Sequence, residues 1–188
     1  ILKEYYIDKE TPYFKEYAKE FTDMPFLVRV EDINGAVQPG RFLNAKDLGS
    51  KEDGADFQTV LIDETTNEIV VPNGTMGDRH TNPQKWNLRL ENRNTGAKID
   101  PRLSVFDQRQ DVTVVKLPYF GDEEHEGVIE RAIPTITVQT VDGPVKVTTV
   151  YDLILANYGI DRGIGGEVAT SYTDDTPYTP TWQEKITG

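Results

Sequence analysis

The chain has 188 residues and a net charge of −12, from 20 Lys and Arg against 32 Asp and Glu. It contains no cysteine, which excludes disulfide frameworks, cysteine nucleophiles and cysteine-ligated zinc or iron–sulfur sites within these residues. The acidic balance argues against binding to a nucleic-acid backbone, and no apolar run approaches the roughly 18 residues of a membrane-spanning helix.

The first predicted element is a helix over about residues 11–21. Thr11 and Pro12 supply a capping residue and a proline at the first helical position. Aromatic and small apolar residues then recur at helical spacing, at positions 13, 14, 17, 18 and 21. A strand is predicted at 26–30, followed by a hairpin that pairs 57–63 with 68–71.

The second half of the chain predicts further strands at 86–90, 112–117, 128–141 and 145–147. Polar and glycine-rich stretches between these elements predict loops at 49–56, 72–85 and 121–127. A second helix is predicted over about 149–158, with Thr148 or Thr149 as its N-terminal cap and Gly159 as its C-terminal cap. Residues 161–188 are rich in Gly, Thr, Tyr and Pro, and we expect an irregular extended tail.

Together these elements predict a β-rich α+β fold, with mixed or antiparallel strands and two short helices at about 11–21 and 149–158. The length suits one folding unit. The chain begins without methionine and ends at 186–188 in what reads as ordinary folded sequence. We therefore interpret 1–188 as a single segment excised from a longer chain.

Motifs for catalysis or phosphate binding are weak in this sequence. Residues 163–166 (GIGG) lack the third glycine of a dinucleotide-binding loop and favour a flexible turn. His80 and His125 are isolated from each other, although Asp78 and Arg79 precede the first. The acidic residues 122–126 could attract a divalent cation, but a solvated loop tip is the simpler interpretation.

Three other patterns have competing structural interpretations. Residues 73–75 (NGT) match a glycosylation acceptor and also a turn. The carboxylates of Asp174 and Asp175 could serve acid–base chemistry or a surface turn. The aromatic groups at 13–21 and 119–120 are typical of core and interface packing. We therefore assign no catalytic, cofactor-binding or metal-ligating residue in this chain.

Longer phrases are more specific than these motifs. They resemble, in order along the chain, the catalytic alpha subunit of respiratory nitrate reductases, which belong to the dimethyl sulfoxide reductase family of molybdopterin oxidoreductases. The matching phrases lie at 11–14, 21–28, 71–74, 85–88, 118–121, 147–153, 155–159, 162–163, 169–172, 178–180 and 186–188. The departures lie in loops, at 49–56, 78–82 and 122–127.

The resemblance implies a structural segment of a larger α/β molybdoenzyme, inactive when isolated. The parent subunit is then expected to reduce nitrate to nitrite by oxygen-atom transfer during anaerobic respiration. It is expected to bind bis-molybdopterin guanine dinucleotide and a 4Fe-4S cluster outside this segment. Implied partners are the rest of the alpha subunit, an iron–sulfur beta subunit and a membrane cytochrome subunit, with no nucleic acid. Membrane association is through these partners, on the cytoplasmic face in bacteria and possible on the outward face in archaea.

Alternative hypotheses remain open on the residues alone. The same phrases fit related enzymes that act on nitrite, chlorate or selenate, because substrate choice depends on residues that line the metal site. A hypothesis of another class is a free-standing acidic β-rich module that binds a partner or calcium. A third is a small acid–base hydrolase that uses Asp174 and Asp175.

Overall fold

Most of the described strands belong to one antiparallel sheet. The computed structural model describes residues 3–75, 89–119 and 127–188. Its strands in chain order are β1 (Leu27–Ile33), β2 (Ala36–Phe42), β3 (Leu61–Ile62), β4 (Ile69–Val70), β5 (Pro72–Asn73), β6 (Arg89–Asn92), β7 (Asp111–Pro118), β8 (Val128–Thr140) and β9 (Gly143–Thr149).

The main sheet has five strands in the order β2-β1-β9-β8-β7, and each neighbouring pair is antiparallel. Its edge strands β2 and β7 approach each other, so the sheet curls. Two small antiparallel pairs, β3–β4 and β5–β6, complete the described strands. The expected β-rich α+β class is therefore confirmed.

Strand β2 was not anticipated from the sequence. Asn34 and Gly35 have φ angles of +59° and +83°, as the tight turn of a two-residue hairpin requires. Pro39 and Gly40 interrupt the strand pattern that follows. A proline is tolerated there because β2 is an edge strand, whose outward groups need no ladder partner.

The described residues contain three α-helices: α1 (Pro12–Phe21), α2 (Val150–Asn157) and α3 (Pro180–Thr187). A short π-helix, Lys3–Asp8, and a 3-10 turn, Ala55–Phe57, complete the described helical segments. Both predicted helices are confirmed as α1 and α2. None of the helices in the described ranges is long and apolar enough to cross a bilayer.

Helix α3 corrects the expectation of an irregular extended tail for its eight residues. Thr179 and Pro180 repeat the start signal of α1, a capping residue followed by proline at the first helical position. The Trp182 indole N–H donates to the Tyr119 hydroxyl at 3.0 Å, and its ring packs beside Tyr178. The tail therefore folds back onto the buried residues near β7.

Helix α2 is closed by side-chain and backbone caps at its two ends. The Thr149 hydroxyl accepts a hydrogen bond from the Asp152 amide, so Thr149 and not Thr148 is the N-terminal cap. At the other end, the Gly159 and Ile160 amides donate to the carbonyls of Ala156 and Leu155. Gly159 has a φ of +67°, so it is the C-terminal cap that the sequence predicts. The two amide hydrogen bonds form a Schellman motif.

The sheet buries apolar side chains on both faces. Ile133 and Val138 lie an odd number of residues apart on β8, so they face opposite sides, and both are buried. Ile133 joins the apolar cluster that includes Ala156 of α2. Val138 joins a second cluster with Leu27 of β1. Helix α2 is thereby held against β8 and β9.

Candidate functional site: the buried Asp152 cluster

Asp152 is the most buried carboxylate among the described residues, and it faces an arginine. It lies in the first turn of α2 and is 1% exposed. Its amide donates to the Thr149 hydroxyl at 3.1 Å, and that hydroxyl donates to Asp152 Oδ2 at 2.9 Å. Thr149 and Asp152 stand at the spacing of a capping box, but the carboxylate accepts from the cap hydroxyl and not from the cap amide, and this reciprocal pair holds the carboxylate at the start of the helix.

Two groups from the segment before β7 also donate to this carboxylate. The Ser104 hydroxyl donates to Oδ1 at 2.6 Å, and the Val105 amide donates to Oδ2 at 2.9 Å. Arg162, from the segment after α2, donates to Oδ1 and forms the ion pair. Each carboxylate oxygen of Asp152 thus accepts two hydrogen bonds, which uses the acceptor positions that a carboxylate offers.

Arg162 is held by a further hydrogen bond and by a stacking contact, in addition to its ion pair. Its second terminal nitrogen donates to the Ser104 hydroxyl at 2.8 Å. Its guanidinium lies over the Phe106 ring, with 4.1 Å between Cζ and the ring centroid, in the stacked arrangement that favours arginine over lysine. We define the Asp152 cluster as Ser104, Thr149, Asp152 and Arg162. Its hydrogen bonds tie three parts of the chain together, and they occupy the acceptor positions of the Asp152 carboxylate that a metal ion would need.

Arg131 on β8 is a second buried charge beside this cluster. It is 1% exposed, and its Nη1 donates to the Glu167 carbonyl. The Glu167 carboxylate lies 3.6 Å from the same nitrogen. Burial lowers the pKa of the Arg131 guanidinium, while the nearby Glu167 opposes this change. Among the described residues, Nε and Nη2 of Arg131 have no hydrogen-bond partner.

The space between Arg131 and the Asp152 cluster is small. Arg131, Asp152 and Arg162 line a cavity of about 10 Å³ together with residues from the 160–168 loop. This volume is about that of a single water molecule. The cavity therefore has no room for an oxyanion such as nitrate, and still less for a nucleotide.

The glycine-rich residues 163–166 form a turn over this cavity. Gly165 and Gly166 have positive φ angles of +85° and +89°. A Cβ on Gly166 would lie 3.1 Å from the Ala132 amide nitrogen. Close packing of the loop on β8 is thus sufficient to explain the glycine here, in agreement with the turn favoured by the sequence.

The adjacent carboxylates of Asp174 and Asp175 do not form an acid–base pair. The Asp174 carboxylate accepts hydrogen bonds from the Thr170 hydroxyl, the Thr170 amide and the Ser171 amide, and these bonds lower its pKa. Asp175 instead pairs with Lys185 of α3. A general acid at neutral pH requires a raised carboxyl pKa, so the hydrolase hypothesis has no support at this turn.

A larger cleft adjoins Tyr151 of α2 and Ser104. It has a volume of about 140 Å³ and is lined by residues that include Tyr6, Glu10 and Tyr151. The Tyr151 hydroxyl donates to the Tyr6 carbonyl at 3.1 Å. Burial raises the pKa of Tyr151 to about 12, so this phenol stays protonated at neutral pH and serves as a structural donor.

The remaining candidates divide between described and undescribed residues. Asn73 lies on β5, and its side-chain amide is 3.4 Å from the Glu91 carboxylate. His80, His125, the 78–80 trio and the acidic 122–126 loop lie outside the described residues. Within 3–75, 89–119 and 127–188, no group of three or more His, Cys, Asp and Glu side chains could hold a metal ion.

The Asp152 cluster was missed by the sequence analysis, although Thr149, Asp152 and Arg162 lie in phrases that carry the family resemblance. Ser104 is 48 positions from Asp152, and Arg162 is ten positions away. Spacing along the chain therefore gave no reason to join them. The available signal was local, since Thr149 and Asp152 stand at the spacing of a capping box.

No family model matches this chain. Over its whole length it is 45% identical to the nitrate reductase alpha chain of Bacillus subtilis (strain 168). It is 39% identical to the respiratory nitrate reductase 1 alpha chain of Escherichia coli (strain K12) and 38% identical to the nitrate reductase alpha subunit of Mycobacterium tuberculosis (strain CDC 1551 / Oshkosh). The chain spans only 15%, 16% and 15% of these three relatives.

Proposed function

The chain is homologous over its whole length to a segment of nitrate reductase alpha chains, and we propose that it is a structural segment of a molybdenum-dependent nitrate reductase catalytic subunit. In this role it has no catalytic activity by itself. The complete subunit reduces nitrate to nitrite by oxygen-atom transfer in anaerobic respiration. The proposal rests on the sequence similarity of the whole chain to nitrate reductase alpha chains.

The Asp152 cluster supports a structural role. Asp152 and Arg162 belong to the longest run of phrases that resembles the nitrate reductases, and they face each other in a buried pair. Their hydrogen bonds connect α2 to the segments before β7 and after α2. These internal contacts are therefore sufficient to account for the similarity at Asp152 and Arg162.

The Asp152 cluster offers no suitable site for the cofactors that the resemblance implies. The chain has no cysteine to ligate a 4Fe-4S cluster. Asp152 has both carboxylate oxygens occupied, and the cavity beside it is about 10 Å³. We therefore propose that molybdopterin guanine dinucleotide and the cluster are bound by other parts of the subunit, and we assign no reaction step to this segment.

The same proposal extends to partners and location. Electrons reach the alpha subunit from an iron–sulfur beta subunit and a membrane cytochrome subunit, which also anchor it at the membrane. A bacterial enzyme would lie on the cytoplasmic face of the membrane, whereas an archaeal enzyme could lie on the outward face. The segment contacts the rest of its own alpha subunit directly.

The test is to extend the reading frame on both sides and express the complete subunit with any neighbouring subunits. Nitrite formation from nitrate is then measured with a reduced low-potential dye as electron donor, beside the isolated 188-residue chain. We expect turnover by the complete subunit and none by the isolated chain. Parallel reactions with chlorate, selenate and nitrite distinguish the related oxidoreductases.

Two results would contradict the proposal. A reading frame that begins just before this segment and ends just after it would favour the free-standing acidic binding module. A complete subunit that reduces another oxyanion, with no turnover of nitrate, would keep the structural role and reject the substrate.

A further inference from the structure

Helix α1 has an apolar arc that the described chain covers only along one edge. At about 100° per residue, Tyr13, Tyr17 and Phe21 form a stripe about 80° wide. Phe14 and Ala18 extend the arc to about 140° on one side of that stripe. Ala18 is fully buried, and Phe14 packs against neighbouring tyrosine rings. The described chain thus covers the edge of the arc formed by Phe14 and Ala18, which lies next to Phe21 of the stripe.

The stripe itself is open. Tyr13, Tyr17 and Phe21 are 69%, 47% and 66% exposed. Their rings follow one another along the helix, with centroids 6.4 Å apart for the first pair and 5.5 Å apart for the second. At about 200 Å² for each aromatic side chain, they expose roughly 350 Å². That area is comparable to the largest apolar patch on an ordinary soluble protein, which is often a contact surface.

The chemistry of the stripe indicates what covers it. It carries no charge, while Glu16 and Glu20 lie on the adjacent face of the helix. Buried tyrosine hydroxyls need hydrogen-bond partners. A matching surface therefore offers aliphatic or aromatic side chains at its centre and an acceptor for each of the two hydroxyls.

We propose that the stripe Tyr13, Tyr17 and Phe21 is a docking surface for another part of the same alpha chain. This inference rests on the proposed function. The chain spans only 15–18% of its nitrate reductase relatives, so more than four-fifths of such a subunit lies outside it. That length supplies an occupant that is covalently linked, and hence present at high effective concentration.

The test is hydroxyl-radical footprinting of the complete alpha subunit, with oxidation of each aromatic residue measured by mass spectrometry. Tyr119 and Tyr151 serve as internal references because both are buried within the segment. We expect Tyr13, Tyr17 and Phe21 to be oxidised as slowly as these references. If docking lowers the accessibility of each ring to below a tenth of its value in the unfolded subunit, its oxidation rate should fall roughly tenfold below that of the unfolded subunit.

Matched variants separate docking from helix stability. In the Tyr17→Ser/Phe21→Ser subunit, Tyr13 remains as a reporter, and its oxidation should rise several-fold as the occupant loosens. In the Glu16→Ser/Glu20→Ser subunit, two exposed side chains of the same helix are changed, and Tyr13 should stay protected. Equal rises in both variants would indicate a general loss of the helix and would overturn the inference.

Other outcomes of the footprinting would overturn the docking inference. Stripe residues that react in the wild-type subunit as fast as in the unfolded chain would show that nothing covers them. Protection that disappears when partner subunits are removed, or when the subunit is diluted, would assign the surface to a partner or a second copy. Each of these overturns docking to the same chain. The proposed function fails separately, through the absence of a longer reading frame or of nitrate turnover.

Discussion

Replacing Arg162 with methionine tests whether the Asp152 cluster stabilises the fold. Methionine keeps much of the apolar volume over Phe106 but removes the charge and both donors. Asp152 would remain buried, with the Ser104 hydroxyl, the Val105 amide and the Thr149 hydroxyl as its donors. Removal of one partner from a buried ion pair costs about 3–5 kcal/mol. Because three donors remain, we expect the lower end, about 3 kcal/mol.

The assay is urea unfolding followed by circular dichroism, at constant pH, with the slope against denaturant checked for constancy. A double-mutant cycle then compares Arg162→Met, Asp152→Asn and the double variant. If the two groups stabilise each other, the double variant should lose less than the sum of the single losses by about 1.5 kcal/mol or more.

A matched control exists in the exposed pair Asp175–Lys185. Its partners are also ten positions apart, but their side chains are 59% and 60% exposed. Lys185→Met should change the free energy of unfolding by no more than about 0.5 kcal/mol. A loss below about 1 kcal/mol for Arg162→Met, or additive single losses in the cycle, would refute the reasoning about the buried cluster.

Three further perturbations test the local interpretation. Because the pKa of Tyr151 is raised from 10.0 to about 12, its stabilising contribution is complete below pH 10 and is lost as pH rises towards 12. Urea midpoints across this range should fall less steeply in Tyr151→Phe, and an equal fall would contradict the assignment. Thr179→Ala should lower the free energy of unfolding by about 1 kcal/mol, and Thr11→Ala by much less. Of these two threonines, only Thr179 makes a capping hydrogen bond with its hydroxyl. Gly165→Ala should cost about 1–2 kcal/mol in thermal unfolding for its φ angle alone, while Gly166→Ala should cost more because its Cβ would also meet strand β8.

Local signals in the sequence were sufficient for the helices that they mark. The Thr11-Pro12 start, the Thr149 cap and the Gly159 terminus each appear where the sequence places them. Capping side chains and left-handed residues act on neighbouring backbone groups, so their signal is complete within a few positions. The same reasoning applied to Thr179 and Pro180 would have identified α3, which composition alone obscured.

The pairing of the strands was harder to predict from the sequence. The alternating segments that became β7, β8 and β9 were recognised, but the position of β1 beside β9 joins residues such as Leu27 and Thr149. More than a hundred positions separate them. No local preference specifies such a pairing, because it depends on which apolar faces can be buried together.

The sequence by itself determined the β-rich class, the two principal helices, the absence of thiolate chemistry and, through its phrases, the resemblance to nitrate reductase alpha chains. Only the tertiary structure brought Ser104, Asp152 and Arg162 into one buried cluster, and only it left the α1 stripe uncovered. The physical reason is the same for both. Backbone caps and periodicity are properties of neighbouring residues, whereas desolvation and ion pairing depend on segments that meet only after the sheet has formed.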